Sequence, residues 1–126
     1  MKKILFIIFL LFLGLGCKHY KLDGNNELVV TNRALASVTL NFRGTSHPLS
    51  VGETKTISYI GSGSYDYETA VTVPSGADSV TLGEHLADTL VFTGETKVTI
   101  FYTSSLLDGV YEVSAAISTS NSNHLL

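Results

Sequence analysis

The chain has 126 residues, 44% of them hydrophobic and 15% charged, with a formal charge of −3, a single cysteine and no tryptophan. One cysteine excludes an internal disulfide, and 11 acidic against 8 basic residues leave no basic excess to neutralise phosphate backbones, so nucleic acid is not an expected partner. A length of this order suits one domain, which buries roughly two thirds of the surface its unfolded chain exposes.

The first element is apolar. Met1, Lys2 and Lys3 precede an unbroken apolar run over residues 4–13 and then GLGC at 14–17. A basic start, an apolar core and small residues before a cut are the parts of an export signal. As a helix the run would be about 15 Å long against a hydrocarbon layer of about 30 Å, too short for a lasting span. The only thiol follows the small residue that closes this segment. Here the sequence resembles the bacterial lipoprotein signal, with Gly14 where that family usually has Leu. The resemblance implies removal of residues 1–16, lipid attachment at Cys17 through acyl chains such as palmitate, and an exported protein anchored to a bacterial membrane in the cell envelope. The alternative is an ordinary secretory cut after Gly16, which would leave a free thiol in an oxidising compartment. Loss of residues 1–16 takes two lysines and leaves 6 basic against 11 acidic residues, a formal −5. Membrane attachment would then come from the acyl chains rather than from attraction to anionic lipid.

Residues 18–27 (KHYKLDGNNE) are polar and without apolar period, so 17–27 reads as a lipidated start and tether. Residues 23–27 have the composition of a calcium loop but not its twelve-residue ligand spacing. From Leu28, period-two alternation dominates: Val38, Leu40, Phe42; Tyr65, Tyr67, Val71, Val73; Val98, Ile100, Tyr102; Tyr111, Val113, Ala115, Ile117. Such runs are half-buried strands. Turn clusters separate them at 43–48 (RGTSHP), 50–54, 61–64, 74–79, 93–97 and 107–109. The expected fold is all-β, a single antiparallel β-sandwich of seven or eight strands over 28–119 with Ig-like or related Greek-key topology. Leu82, Leu86 and Leu90 stand at helical spacing, but Gly83 and the β-formers around them predict a loop or one helical turn. Residues 120–126 read as a frayed tail.

GETK occurs twice, at 52–55 and 94–97, each time entering an alternating stretch and then a glycine, a tyrosine and an acid: GSYDYETA at 63–70 and GVYEVSAA at 109–116. A ligand motif would need the glycine-rich backbone and helix start that cradle phosphate. Duplication of one hairpin remains open, although SHPLSV and ADTLVF before the two copies share only a leucine. Turn chemistry reached twice is the reading these residues favour: glycine supplies a positive φ, and Glu and Lys stand as outward partners of neighbouring strands. The run NFRG, a short strand, LSVGETKTI and then GSYDYETA is similar to small Ig-like and PEGA-like sandwich modules of bacterial envelope proteins. That resemblance implies a fold, not an activity.

Chemistry is sparse. His19, His47, His85 and His124 show no metal-ligand spacing, so neither a metal nor another cofactor is expected. There is no G-x-S-x-G elbow, and a triad of Ser62, His47 and Asp66 has no more support than any other choice from a serine-rich chain. Asp66 and Glu68 share a strand face, and Glu84 and Asp88 flank His85, but glycosidase carboxyls need a deep cleft between them. An enzyme is therefore not expected; it would require a cleft gathering His47 or His85 with a carboxylate. The expectation is a non-catalytic, membrane-tethered interaction or structural module. Its alternatives are a carbohydrate- or small-ligand-binding lipoprotein using strand tyrosines, and an accessory subunit of an envelope assembly. Tyr65, Tyr67 and Tyr111 are the candidate contact tyrosines, since a tyrosine can stack on a sugar or anchor a protein partner. The same parity as Val71 and Val113 makes them core residues by default. Phe101, out of phase with Ile100 and Tyr102, is the apolar side chain that needs a cover or a partner.

Overall fold

The computed structural model describes residues 24–121. The export segment, Cys17, most of the expected tether and residues 122–126 lie outside the described residues. Nine strands make up the rest: β1 (Asn26–Asn32), β2 (Val38–Phe42), β3 (Thr45–Leu49), β4 (Thr54–Ile60), β5 (Gly63–Val71), β6 (Ser79–Leu82), β7 (Ala87–Phe92), β8 (Thr96–Leu107) and β9 (Val110–Asn121). They form a five-stranded sheet of order β4-β1-β8-β9-β6 and a four-stranded sheet of order β3-β2-β5-β7. No helix among the described residues is long and apolar enough to cross a membrane.

The two sheets face one another across one core. Leu28 and Val30 of β1, Val98, Ile100 and Tyr102 of β8, and Tyr111, Val113 and Ala115 of β9 are buried against Val38, Leu40 and Phe42 of β2, Tyr67 of β5, and Leu90 and Phe92 of β7. The period-two pattern dictates this, because every second side chain of a strand reaches the same face. Phe42, Tyr65 and Phe92 meet with ring centroids 5.7 to 6.4 Å apart in tilted or edge-on contacts, the arrangement that ring quadrupoles favour. Thr69 of β5 and Tyr102 of β8 join the sheets through a 2.6 Å hydroxyl contact.

The strand count and the pairing differ from expectation. There are nine strands, and two of the pairs are parallel, β1 with β8 and β6 with β9. β1 takes its long-range partner from the other end of the chain because the next two strands belong to the opposite sheet. Of the stretch 82–90, expected as a loop or helical turn, 83–86 is a loop, while Leu82 ends β6 and β7 begins at Ala87. Its leucines mislead because they fall in different environments: Leu82 is exposed, whereas Leu86 and Leu90 are buried. β3 lies largely within the expected turn cluster at 43–48, its Pro48 tolerated because β3 is an edge strand. β1 begins at Asn26, two residues before the expected domain start.

The repeated GETK is also resolved, against the repeated hairpin. The first copy leads from β3 to β4 and the second from β7 to β8, so both cross between sheets. In the first, Gly52 has φ 84° in a turn closed by Glu53 N–H donating to the Ser50 carbonyl at 3.0 Å. In the second, Gly94 and Glu95 are both left-handed, with φ 88° and 52°. The lysines then face opposite ways: Lys55 pairs with the inward Val30, while Lys97 pairs with Glu27 on the outer face. True two-residue hairpin turns occur at Arg43-Gly44, with φ 53° and 76°, and at Asp108-Gly109, with φ 52° and 79°, the doubly left-handed turn that matches strand twist.

Two buried asparagines fix β1 between its neighbours. Asn26 donates from Nδ2 to the Ile60 carbonyl at 2.8 Å and accepts from Thr96 N–H at 2.9 Å, tying together the end of β4 and the start of β8. Asn32 donates to the carbonyls of Ala36 and Leu49 at 3.1 and 3.2 Å and accepts from Ala34 N–H at 2.9 Å. Each amide thus satisfies main-chain groups that a crossover would otherwise leave buried and unpaired.

Candidate functional site

The two sheets are unequal, and the site follows from that. β8 and β9 are each 12 residues long, and the sheet containing them has one strand more than its partner. β7, the last strand of the smaller sheet, has 6 residues. Inward positions late in β9 are consequently not fully covered: Ile117 is half-buried and Thr119 exposed. Between β7 and the β8-β9 pair lies an open groove of about 640 Å³, with Leu90, Val98 and Ile117 as its apolar lining and Thr93, Thr96 and Thr119 among its hydroxyls.

One mouth of the groove carries an ordered ionisable pair. His85, left-handed at φ 60°, places Nδ1 3.1 Å from Asp88 Oδ2 and Nε2 3.9 Å from Glu84 Oε2. The loop is pinned from behind, since Tyr67 donates its hydroxyl hydrogen bond to the His85 carbonyl. Leu86 next to it is buried. The His85 hydrogen bond, followed by that from Thr89 N–H, holds the Asp88 carboxyl below its ordinary range, so it is a carboxylate at neutral pH. Among the described residues the His85 imidazole hydrogen-bonds Asp88 and no hydroxyl. The pair therefore sets an imidazole oriented by a carboxylate at the rim of the groove. Among the described residues no group of three or more His, Cys, Asp or Glu side chains is placed to hold a metal ion.

The expected contact residues are distributed elsewhere. Tyr67 and Tyr111 are buried in the core. Burial, assisted by Tyr102 and Asp88, pushes the Tyr67 hydroxyl far above its ordinary pKa, and burial raises that of Tyr102 against the opposing hydrogen bond from Thr69. The Tyr111 hydroxyl is buried without a hydrogen-bond partner among the described residues. Tyr65 is half-buried, and its hydroxyl donates to the Gly61 carbonyl at 2.7 Å. That bond closes the crossover from β4 to β5 in the manner of a tyrosine corner. Phe101 is half-buried on the outer face under the Arg33 guanidinium, 5.0 Å from the ring centroid, a cation-π cover. The structure gathers none of these four into the groove, and Cys17 lies outside the described residues.

Sequence reasoning missed the groove because it did not assign β7 as a strand. The alternation of ADTLVF was available, with Asp88 in phase with Leu90 and Phe92. An acid on the inward parity at a strand start marks a place where the opposite sheet gives no cover. Compared with known proteins, the chain matches no family model and no curated protein.

Proposed function

We propose that the protein is a non-catalytic cell-envelope lipoprotein: a β-sandwich module, exported, anchored to a bacterial membrane through acyl chains on Cys17, and binding an extended segment of an envelope partner along β7. The anchor is supported by the sequence GLGC at 14–17. The binding mode is supported by one observation, the state of the sheet edges. Edge strands are ordinarily blunted against pairing. β3 carries Pro48, β4 carries Lys55 and an irregular register near its end, and β6 has only 4 residues. β7 has no proline, lysine or bulge, carries its one charge, Asp88, near the strand start, and flanks the apolar groove with the uncharged run 89–92, as needed for a guest strand whose alternate side chains enter a pocket.

Two tests address the two halves of the proposal. The intact mass of protein from the membrane fraction should begin at Cys17 with added acyl mass, absent from a Cys17→Ser chain; an unmodified soluble chain overturns the anchor. A photo-crosslinking residue at Thr119 should give one discrete adduct in living bacteria, lost when Val91→Lys places a charge on the exposed face of β7. No adduct, or one indifferent to Val91→Lys, removes the β7 edge as the binding site. The His85-Asp88 pair beside the groove supports an acid-base enzyme as a second reading, tested by comparing any hydrolysis found with that of a His85→Gln chain. The stacking reading draws no support from Tyr65 and Tyr67, one hydrogen-bonded into a corner and the other buried.

A further inference from the structure

Tyr59 is the anomaly of the surface. It stands at φ 60° and 84% exposed, a backbone conformation that strains a bulky side chain and that Gly or Asn adopts at little cost. The cause is local: Asn26 pairs with Ile60 and Leu28 with Ile57, so Ser58 and Tyr59 together oppose Glu27 in a bulge. Nothing in the fold compensates. The ring is outside the core, and its hydroxyl makes no hydrogen bond among the described residues. The strained, exposed ring is available to a partner outside the molecule.

Its position identifies that partner. Tyr59 and Ser58 border a shallow depression of about 220 Å³ whose other wall is Gly24, Asn25, Asn26 and Glu27, the point at which the chain enters the domain. Six residues separate Gly24 from Cys17, seven steps of chain with a reach of about 25 Å at most. An acylated Cys17 therefore keeps this end of the domain closest to the lipid. Glu27, the one charged residue lining the depression, stands opposite Lys97 in the ladder, so this pair supplies no net charge to hold the end against a membrane. A tyrosine ring, apolar with a polar tip, is suited to the headgroup boundary. We infer that this end of the domain rests on the bilayer with the Tyr59 ring in the headgroup boundary. The inference rests on the lipidation proposed above and adds the face that meets the membrane.

Because the chain has no tryptophan, Tyr59→Trp creates a unique fluorophore, and Leu107→Trp reports from the hairpin at the opposite end. Both are made in the full lipidated chain and reconstituted into phosphatidylethanolamine-phosphatidylglycerol vesicles containing lipid brominated high on its acyl chains. The probe at 59 should lose roughly half or more of its emission, as an aromatic at the headgroup boundary would, while the probe at 107 keeps its own. Vesicle-bound protein with an unquenched probe at 59, or equal quenching at both sites, overturns the inference and leaves the anchor standing. A chain without acyl mass that fails to float with vesicles overturns the anchor itself. Where Tyr59→Trp does not fold, hydrogen exchange of the wild-type chain decides. Amides of 24–27 and 58–60 should slow on vesicles relative to the Cys17→Ser chain, and unchanged rates overturn the inference.

Discussion

Replacing Asn26 with alanine should be among the most damaging single changes in the domain, although this position has no part in the apolar core. Truncation removes the donor to the Ile60 carbonyl at 2.8 Å and the acceptor of Thr96 N–H at 2.9 Å. Asn26, Ile60 and Thr96 are all buried, so water does not readily take the place of the lost amide. An unsatisfied buried donor or acceptor costs about 1–3 kcal/mol, and two of them give about 2–5 kcal/mol when the end of the sandwich admits some water. A domain of this size holds about 5–15 kcal/mol in total. At about 4–8 °C per kcal/mol the melting midpoint should fall by about 8–40 °C. Urea unfolding of the Cys17→Ser chain, followed by far-ultraviolet circular dichroism, measures this against Asn25→Ala, an exposed neighbour. Asn26→Asp separates the two bonds. The new carboxyl still accepts from Thr96 but cannot donate to Ile60 unless protonated, so its folded pKa is raised and the variant should recover stability as pH falls. A cost for Asn26→Ala within about 0.5 kcal/mol of the surface control, the usual scatter of surface substitutions, would refute the bracing role.

The core tyrosines should separate in a Tyr→Phe series. Tyr67→Phe and Tyr102→Phe lose hydroxyl bonds to the His85 carbonyl and to Thr69, about 0.5–1.5 kcal/mol each, whereas Tyr111→Phe removes an unpartnered buried hydroxyl and should be neutral or stabilising. Equal costs at all three would contradict the bonding described. His47 should make the domain less stable in mild acid. Its pKa is lowered by burial first and then by Lys55 and Arg43, so the folded state binds its proton less readily than the unfolded chain. Its contribution is complete above the unfolded value near 6.5 and is lost as pH falls below that towards the folded value. The loss of urea midpoint between pH 7.5 and 5 should shrink in His47→Gln. Asp88, whose lowered pKa confines its own loss to pH below about 3.8, does not contribute in that window.

Much of the fold was legible because alternation is a local signal. Val38, Leu40, Phe42, Val98, Ile100, Tyr102, Tyr111 and Val113 were readable as inward positions, and the structure buries all eight. Polar residues were harder to read, since nothing in the letters NNELVVTN distinguishes Asn26 and Asn32, which brace crossovers, from Asn25, which is exposed. Their role depends on carbonyls more than 15 residues away in sequence, at Ile60 and Leu49. The groove was illegible for a related reason: it exists because one sheet is wider than the other, and sheet width is a sum over pairings.

By itself, then, the sequence determined what each short stretch can decide alone: an all-β chain, the inward parity of most strands, and the turn within 107–109, whereas the cluster at 43–48 held both the turn at Arg43-Gly44 and most of β3. Only the tertiary structure decided which strands are neighbours. It made β1 parallel to β8, turned the two GETK segments into crossovers with lysines on opposite faces, left β7 as an edge strand beside the groove, and set Tyr59 outward on a strained bulge. The physical reason is that parity and turn geometry are settled within a few residues, whereas pairing is settled by burying two whole faces at once.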